Sequence, residues 1–197
     1  MEDRAMSAAV YHYTDTVRLP WILQAAELQP GRNVLKSRPA PDLLWATAMP
    51  IPDKTAAGYS NESLTALRRG DTRTVRFTLR ADDFAVWPQV VAGCPAWTPA
   101  MIEALEKSAG FRSTPRAWRG RIYPLPRSAW LSVETRSIAD PTWVPLDPDA
   151  ELIDLSIEGG PALGVQIGDY AYMSGKVPMP SGVAAYSPFV LSRRAAA

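Results

Sequence analysis

An α+β fold is what this sequence predicts, on three observations. Helical periodicity is confined to the chain before Gly110, and short strand candidates dominate after it, the segregated order of an α+β domain. Thr74 to Arg80 alternates cleanly, with Val75, Phe77 and Leu79 on one side and polar residues on the other, as a half-buried strand requires. Finally, 19 of 197 residues are proline. That is well above the usual ~5%, and proline breaks helices and is barred from central strand ladders. Short strands, fixed turns and few helices follow.

The elements can be read in order. Ala8, Ala9, Val10 and Tyr11 form an apolar run leading into His12, so the chain's single histidine is expected on a first strand. From Asp15 to Leu28, the residues Leu19, Ile22, Leu23, Ala26 and Leu28 recur on one helical face, and Pro30-Gly31 is the expected stop. A polar, proline-rich loop then precedes a second strand, Leu43-Leu44-Trp45-Ala46-Thr47. Asp53 to Arg69 reads as helical and broken near Gly58, with Ser60 or Asn61 as cap and Gly70 as terminator. Thr98-Pro99 starts another helix, hydroxyl at the cap and proline at the first position, running to Gly110. Later strands are expected at Ala129 to Thr135, Glu151 to Ile157, Leu163 to Ile167 and Val183 to Leu191. The length suits one domain over residues 1–192 with a flexible tail at 193–197.

Composition excludes several chemistries. With one histidine and one cysteine, His12 and Cys94, a zinc site lacks ligands, and no metal is expected. A single cysteine also excludes an internal disulfide, and no apolar run approaches the ~20 residues of a membrane span, so a cytoplasmic protein is the expectation. No Gly-x-Ser-x-Gly elbow and no Gly-x-Gly-x-x-Gly fingerprint is present, and Ser174-Gly175-Lys176 lacks the upstream glycine of a phosphate loop. The 21 basic and 20 acidic side chains nearly cancel, which leaves no global footprint for nucleic acid. Arg112, Arg116, Arg119, Arg121 and Arg127 do cluster, as a solvated loop or as a basic face.

His12-Tyr13-Thr14 on a strand, a helix, a loop, and a strand bearing Trp45 together resemble the opening of the ADP-ribosyltransferase superfamily. The similarity is to its histidine–tyrosine–glutamate branch, which includes diphtheria-toxin-like enzymes and poly-ADP-ribose polymerases. DNA-targeting ADP-ribosyltransferase toxins and tRNA 2′-phosphotransferases open with a similar His-x-Thr. The likeness runs from the N-terminus to about Ser60. It implies two small antiparallel-rich sheets around a nucleotide cleft, with NAD as co-substrate, and a mono-ADP-ribosyltransferase acting as a toxin or defence effector on an unidentified acceptor.

By the same resemblance, His12 would hydrogen-bond a ribose hydroxyl of NAD, and the Tyr13-Thr14 backbone would hold the nicotinamide amide. Tyr59 or Trp45 would stack on nicotinamide. Glu134 would be the catalytic carboxylate, with Glu158 its rival; alternation puts Ser132 and Glu134 on one face with Trp130. Cleaving the nicotinamide–ribose bond passes through a sugar cation, which a placed carboxylate stabilises without a metal. Each residue also has a plainer reading: His12 as a strand residue bonded to backbone, Trp45 as core, Glu134 as a strand-edge carboxylate. A non-catalytic module that binds a nucleotide or protein partner, and an RNA 2′-phosphotransferase-like enzyme, are the alternative functions.

Overall fold

A computed structural model describes residues 8–16, 18–35, 38–51, 55–57, 61–70, 72–109, 114–150, 152–154, 183–186 and 190–193. Among these the chain is α+β: helices are few and short, and every pairing with a stated direction is antiparallel. The first strand is β1 (Ala9–Asp15), followed by helix α1 (Leu19–Ala25) and the short β2 (Glu27–Leu28). Strands β3 (Gly31–Leu35) and β4 (Arg38–Thr47) form a hairpin. Helix α2 (Asn61–Arg69) precedes β5 (Thr74–Arg80). Then come β6 (Ala85–Val86), α3 (Trp87–Ala92) and α4 (Pro99–Ser108). The strands β7 (Trp118–Arg121), β8 (Leu125–Pro126), β9 (Trp130–Arg136) and β10 (Val144–Pro145) follow. The last are β11 (Leu152–Asp154), β12 (Val183–Tyr186) and β13 (Val190–Arg193).

An eight-stranded sheet has the order β10-β9-β5-β1-β4-β7-β6, with β3 joined to β4. A three-stranded sheet, β11-β13-β12, and a two-stranded one, β2-β8, complete the strands. Among the described residues there are thus one large sheet and two small ones.

The chain divides into two compact units. The first contains Met1–Tyr13, Leu28–Gly58 and Phe77–Leu131, and the second Thr14–Glu27, Tyr59–Arg76 and Ser132–Ala197. Strands β1, β5 and β9 each contribute residues to both.

The first unit is organised by indole. Trp87 and Trp97 are buried with Leu43, Val90, Cys94, Met101 and Trp118, and Trp45 packs against that cluster. Trp87 and Trp118 meet edge to face at 5.0 Å between centroids, and Trp45 and Trp118 at 5.9 Å. Such quadrupole-matched pairs add ~0.5–1.5 kcal/mol beyond the area they bury. Trp87 also donates its indole N–H to the Glu106 carboxylate (2.6 Å), which ties α3 to α4. Helix α4 starts where Thr98-Pro99 predicts, with Thr98 Oγ1 accepting from the Met101 N–H at 3.3 Å.

In the second unit, Asp15 closes a turn by accepting from the Arg18 N–H (3.1 Å) and pairing with the Arg18 guanidinium, which launches α1. That helix ends sooner than Pro30-Gly31 predicts: Ala26 takes a left-handed backbone (φ 52°), and Glu27–Leu28 is already strand. Helix α2 begins beyond the expected break at Gly58, with Asn61 its first residue, and it ends as expected at Gly70, whose φ of 79° glycine adopts freely. The expected loop before Leu43 is strand instead. Pro39 sits opposite Val34 in the β3–β4 hairpin. The expected strand at Leu163 to Ile167 and residues 194–197 of the expected tail lie outside the described residues.

Candidate functional site

Strand β1 lies between β5 and β4 in the sheet and carries His12. Tyr11 stands opposite Thr47 of β4. Directly opposed residues share a face and successive residues alternate, so Tyr11, Thr47 and Trp45 project one way and His12 the other. The His12 ring accordingly meets Phe77 of β5 (centroids 6.1 Å), and Phe77 meets Trp130 edge to face at 4.9 Å. His12 Nδ1 donates to the main-chain carbonyl of Trp45 at 2.7 Å, a contact that fixes the proton on that nitrogen and sets the plane of the half-buried ring.

The His12 and Trp45 strands are therefore neighbours, as the sequence predicts. The side chains nonetheless separate: Trp45 reaches His12 through its carbonyl, while its indole joins Trp87 and Trp118 on the opposite face. The Trp45 ring thus takes the core role, and stacking on a nicotinamide held at the His12 ring does not suit it. Tyr13 is 1% exposed, with its hydroxyl donating to the Met49 carbonyl at 3.4 Å, so its side chain belongs to the core. Thr14 is buried as well. Tyr59 and Glu158, the alternative stacking residue and carboxylate, lie outside the described residues.

Glu134 belongs to the second unit and is engaged. Arg76 reaches one of its oxygens, Oε2, twice, from Nε at 3.0 Å and from Nη2 at 2.7 Å. The Arg76 guanidinium also lies over the Trp143 ring (4.0 Å to the centroid), as does that of Arg136 (4.5 Å). Arg76 and Phe77 are successive on β5 and project to opposite faces. Trp130, against Phe77, and Glu134, against Arg76, consequently do not share a face, contrary to the simple alternation of β9. The cause is local: Leu131 and Ser132 are both exposed in succession, and the period of two is lost between Trp130 and Val133.

Of the arginine-rich segment that sequence reasoning left between loop and basic face, Arg112 lies outside the described residues, Arg119 and Arg121 stand on β7, and those two with Arg127 brace the chain. Arg119 Nη1 donates to the carbonyls of Arg116 (3.0 Å) and Trp118 (2.9 Å). Arg121 donates to those of Tyr123, Asp83 and Pro124, and Arg127 covers the Trp130 ring at 4.9 Å.

Among the described residues no group of three metal-ligating side chains occurs, and no helix is long and apolar enough to cross a membrane. Comparison with known proteins finds no matching family model, no similar curated protein and no similar solved structure.

Proposed function

We propose that this chain is an NAD-dependent mono-ADP-ribosyltransferase that binds its dinucleotide at His12. The observation that supports the reading is the setting of that residue. The one histidine of the chain stands on an interior strand, is half-exposed, and is held in one tautomer by the Trp45 carbonyl of the adjacent strand. Its ring lies with Phe77 on the face opposite the Trp45 indole, and by the resemblance it is the group that would hydrogen-bond a ribose hydroxyl. Its place in the order β1, α1, β4 is the one the superfamily resemblance assigns to the NAD-binding histidine.

The acceptor of ADP-ribose is left open by this reading. Glu134 is its proposed carboxylate, and two contacts from Arg76 to Oε2 fix its orientation. The same contacts favour a second reading, a transferase-like module that binds NAD without cleaving it, since a carboxylate neutralised by a guanidinium gives less to a developing sugar cation.

Calorimetric titration with NAD and nicotinamide release, measured on the same preparations, separate the two. The first reading expects wild-type turnover that Glu134→Gln reduces by roughly 10²–10³ while NAD affinity holds, the signature of a group acting in the transition state. His12→Ala should weaken binding by about 0.5–1.5 kcal/mol, one hydrogen bond. Binding without turnover selects the module, and no heat with millimolar-order NAD overturns both.

A further inference from the structure

The first unit contains a pocket of about 340 Å³ between β6, α3 and β7. Its inner wall is apolar, made of Leu43, Ala85, Val90 and Cys94, and Ile122 and Tyr123 are exposed at 55% and 67% along it. Gly120 lets α3 pack directly on the β7 backbone beside the pocket: a Cβ there would stand 2.9 Å from Val90 Cγ2. One residue holds the rim. Arg121 donates to the carbonyls of Asp83, Tyr123 and Pro124, fastening the turn after β7 to the segment before β6. The pocket is thus formed without help from a ligand, which spares a ligand the cost of ordering it.

We propose that this pocket binds a small neutral planar aromatic molecule carrying one N–H or O–H donor. The size fits. At about 30 Å³ per water it holds roughly eleven, near the low end of small-molecule sites. The charge fits too. Asp83 and Arg121 are the ionic groups of the wall, and they offset each other at 3.9 Å. The Arg121 guanidinium is spent on carbonyls, so an anion finds no available cation there. The Cys94 thiol adds no charge, because burial pushes its pKa up. The Tyr123 ring gives an aromatic surface to stack on, and the Asp83 carboxylate and the Gln89 amide supply acceptors for a donor. Nothing in this site involves His12 or Glu134, so the proposal stands apart from the NAD reading.

Fluorine NMR of fluoroindole titrated with the full chain tests it. Saturable binding is expected, and fluoroindole carboxylate should bind about tenfold more weakly or worse, since its charge would be desolvated without a partner. Ile122→Asp, at an exposed position, and Ala85→Phe, which fills the space from β6, should each weaken fluoroindole by about tenfold or more. The Asp variant carries the test if the Phe variant does not fold. The proposal is overturned by absence of saturable binding to the wild type, by affinity that neither variant changes, or by equal affinity for the carboxylate.

Discussion

His12 and Trp45 stand on paired strands, yet one hydrogen bond to a main-chain carbonyl joins them while their rings part. A strand pattern shows which residues alternate, whereas the face each set takes depends on cross-strand register, here Tyr11 opposite Thr47. The sequence showed that the histidine rides a strand; it could not show that the tryptophan beside it belongs to an indole cluster built from Trp87 and Trp118, far along the chain. Cys94 obeys the same logic. It is buried, with 3% exposure, and burial lifts its thiol above the ordinary 9.0. Below that ordinary value the folded and unfolded chains both keep the proton, so pH leaves this contribution unchanged. Above it the unfolded chain ionises first, and stability falls until the folded thiol also titrates. Urea midpoints at about pH 8 and about pH 10 should therefore fall further for wild type than for Cys94→Ala. An equal fall would mean that the thiol is not desolvated.

At the scale of elements, what was legible had a period or a cap. Strand β5 came through because Val75, Phe77 and Leu79 alternate with polar residues, and all three are fully buried. Helix α4 did so because Thr98-Pro99 marks its first turn. The missed elements carried no such signal. Helix α3 has six residues, too few to show a period of 3.6, and its second residue is Pro88. Strand β7 pairs buried Trp118 and Gly120 with Arg119 and Arg121, whose charges pointed to a solvated loop or a basic face. Helix α1 was extended too far because alanine does not normally stop a helix. Ala26 nonetheless does so at φ 52°, where an L-residue brings its Cβ against the carbonyl. Ala26→Gly should relieve that strain and raise stability by about 1 kcal/mol. The site is exposed, so no packing is lost. Chemical denaturation with unchanged circular dichroism checks it. A loss of stability instead would show that Ala26 is not left-handed in solution.

On the scale of the whole molecule, charge is the property that discriminates among functions. A formal net charge of +1 offers little attraction to a polyanion, and three of the five arginines concentrated between Arg112 and Arg127 are engaged within the chain. Arg119 and Arg121 satisfy main-chain carbonyls, Arg127 covers an indole, and Arg76 pairs with Glu134. A guanidinium that satisfies a carbonyl keeps its charge, but it is fixed in place and cannot follow a phosphate backbone. Binding to RNA would need several such groups to release counterions together, and each phosphate neutralised on a single strand would steepen the salt slope by about 0.7. Fluorescence anisotropy with labelled single-stranded RNA should accordingly show no saturable binding tighter than about 10⁻⁴ M at physiological salt. Whatever association appears at low salt should have a slope corresponding to one or two phosphates. Micromolar, steeply salt-dependent binding would contradict this account of the arginines and would favour the RNA 2′-phosphotransferase alternative over transfer of ADP-ribose.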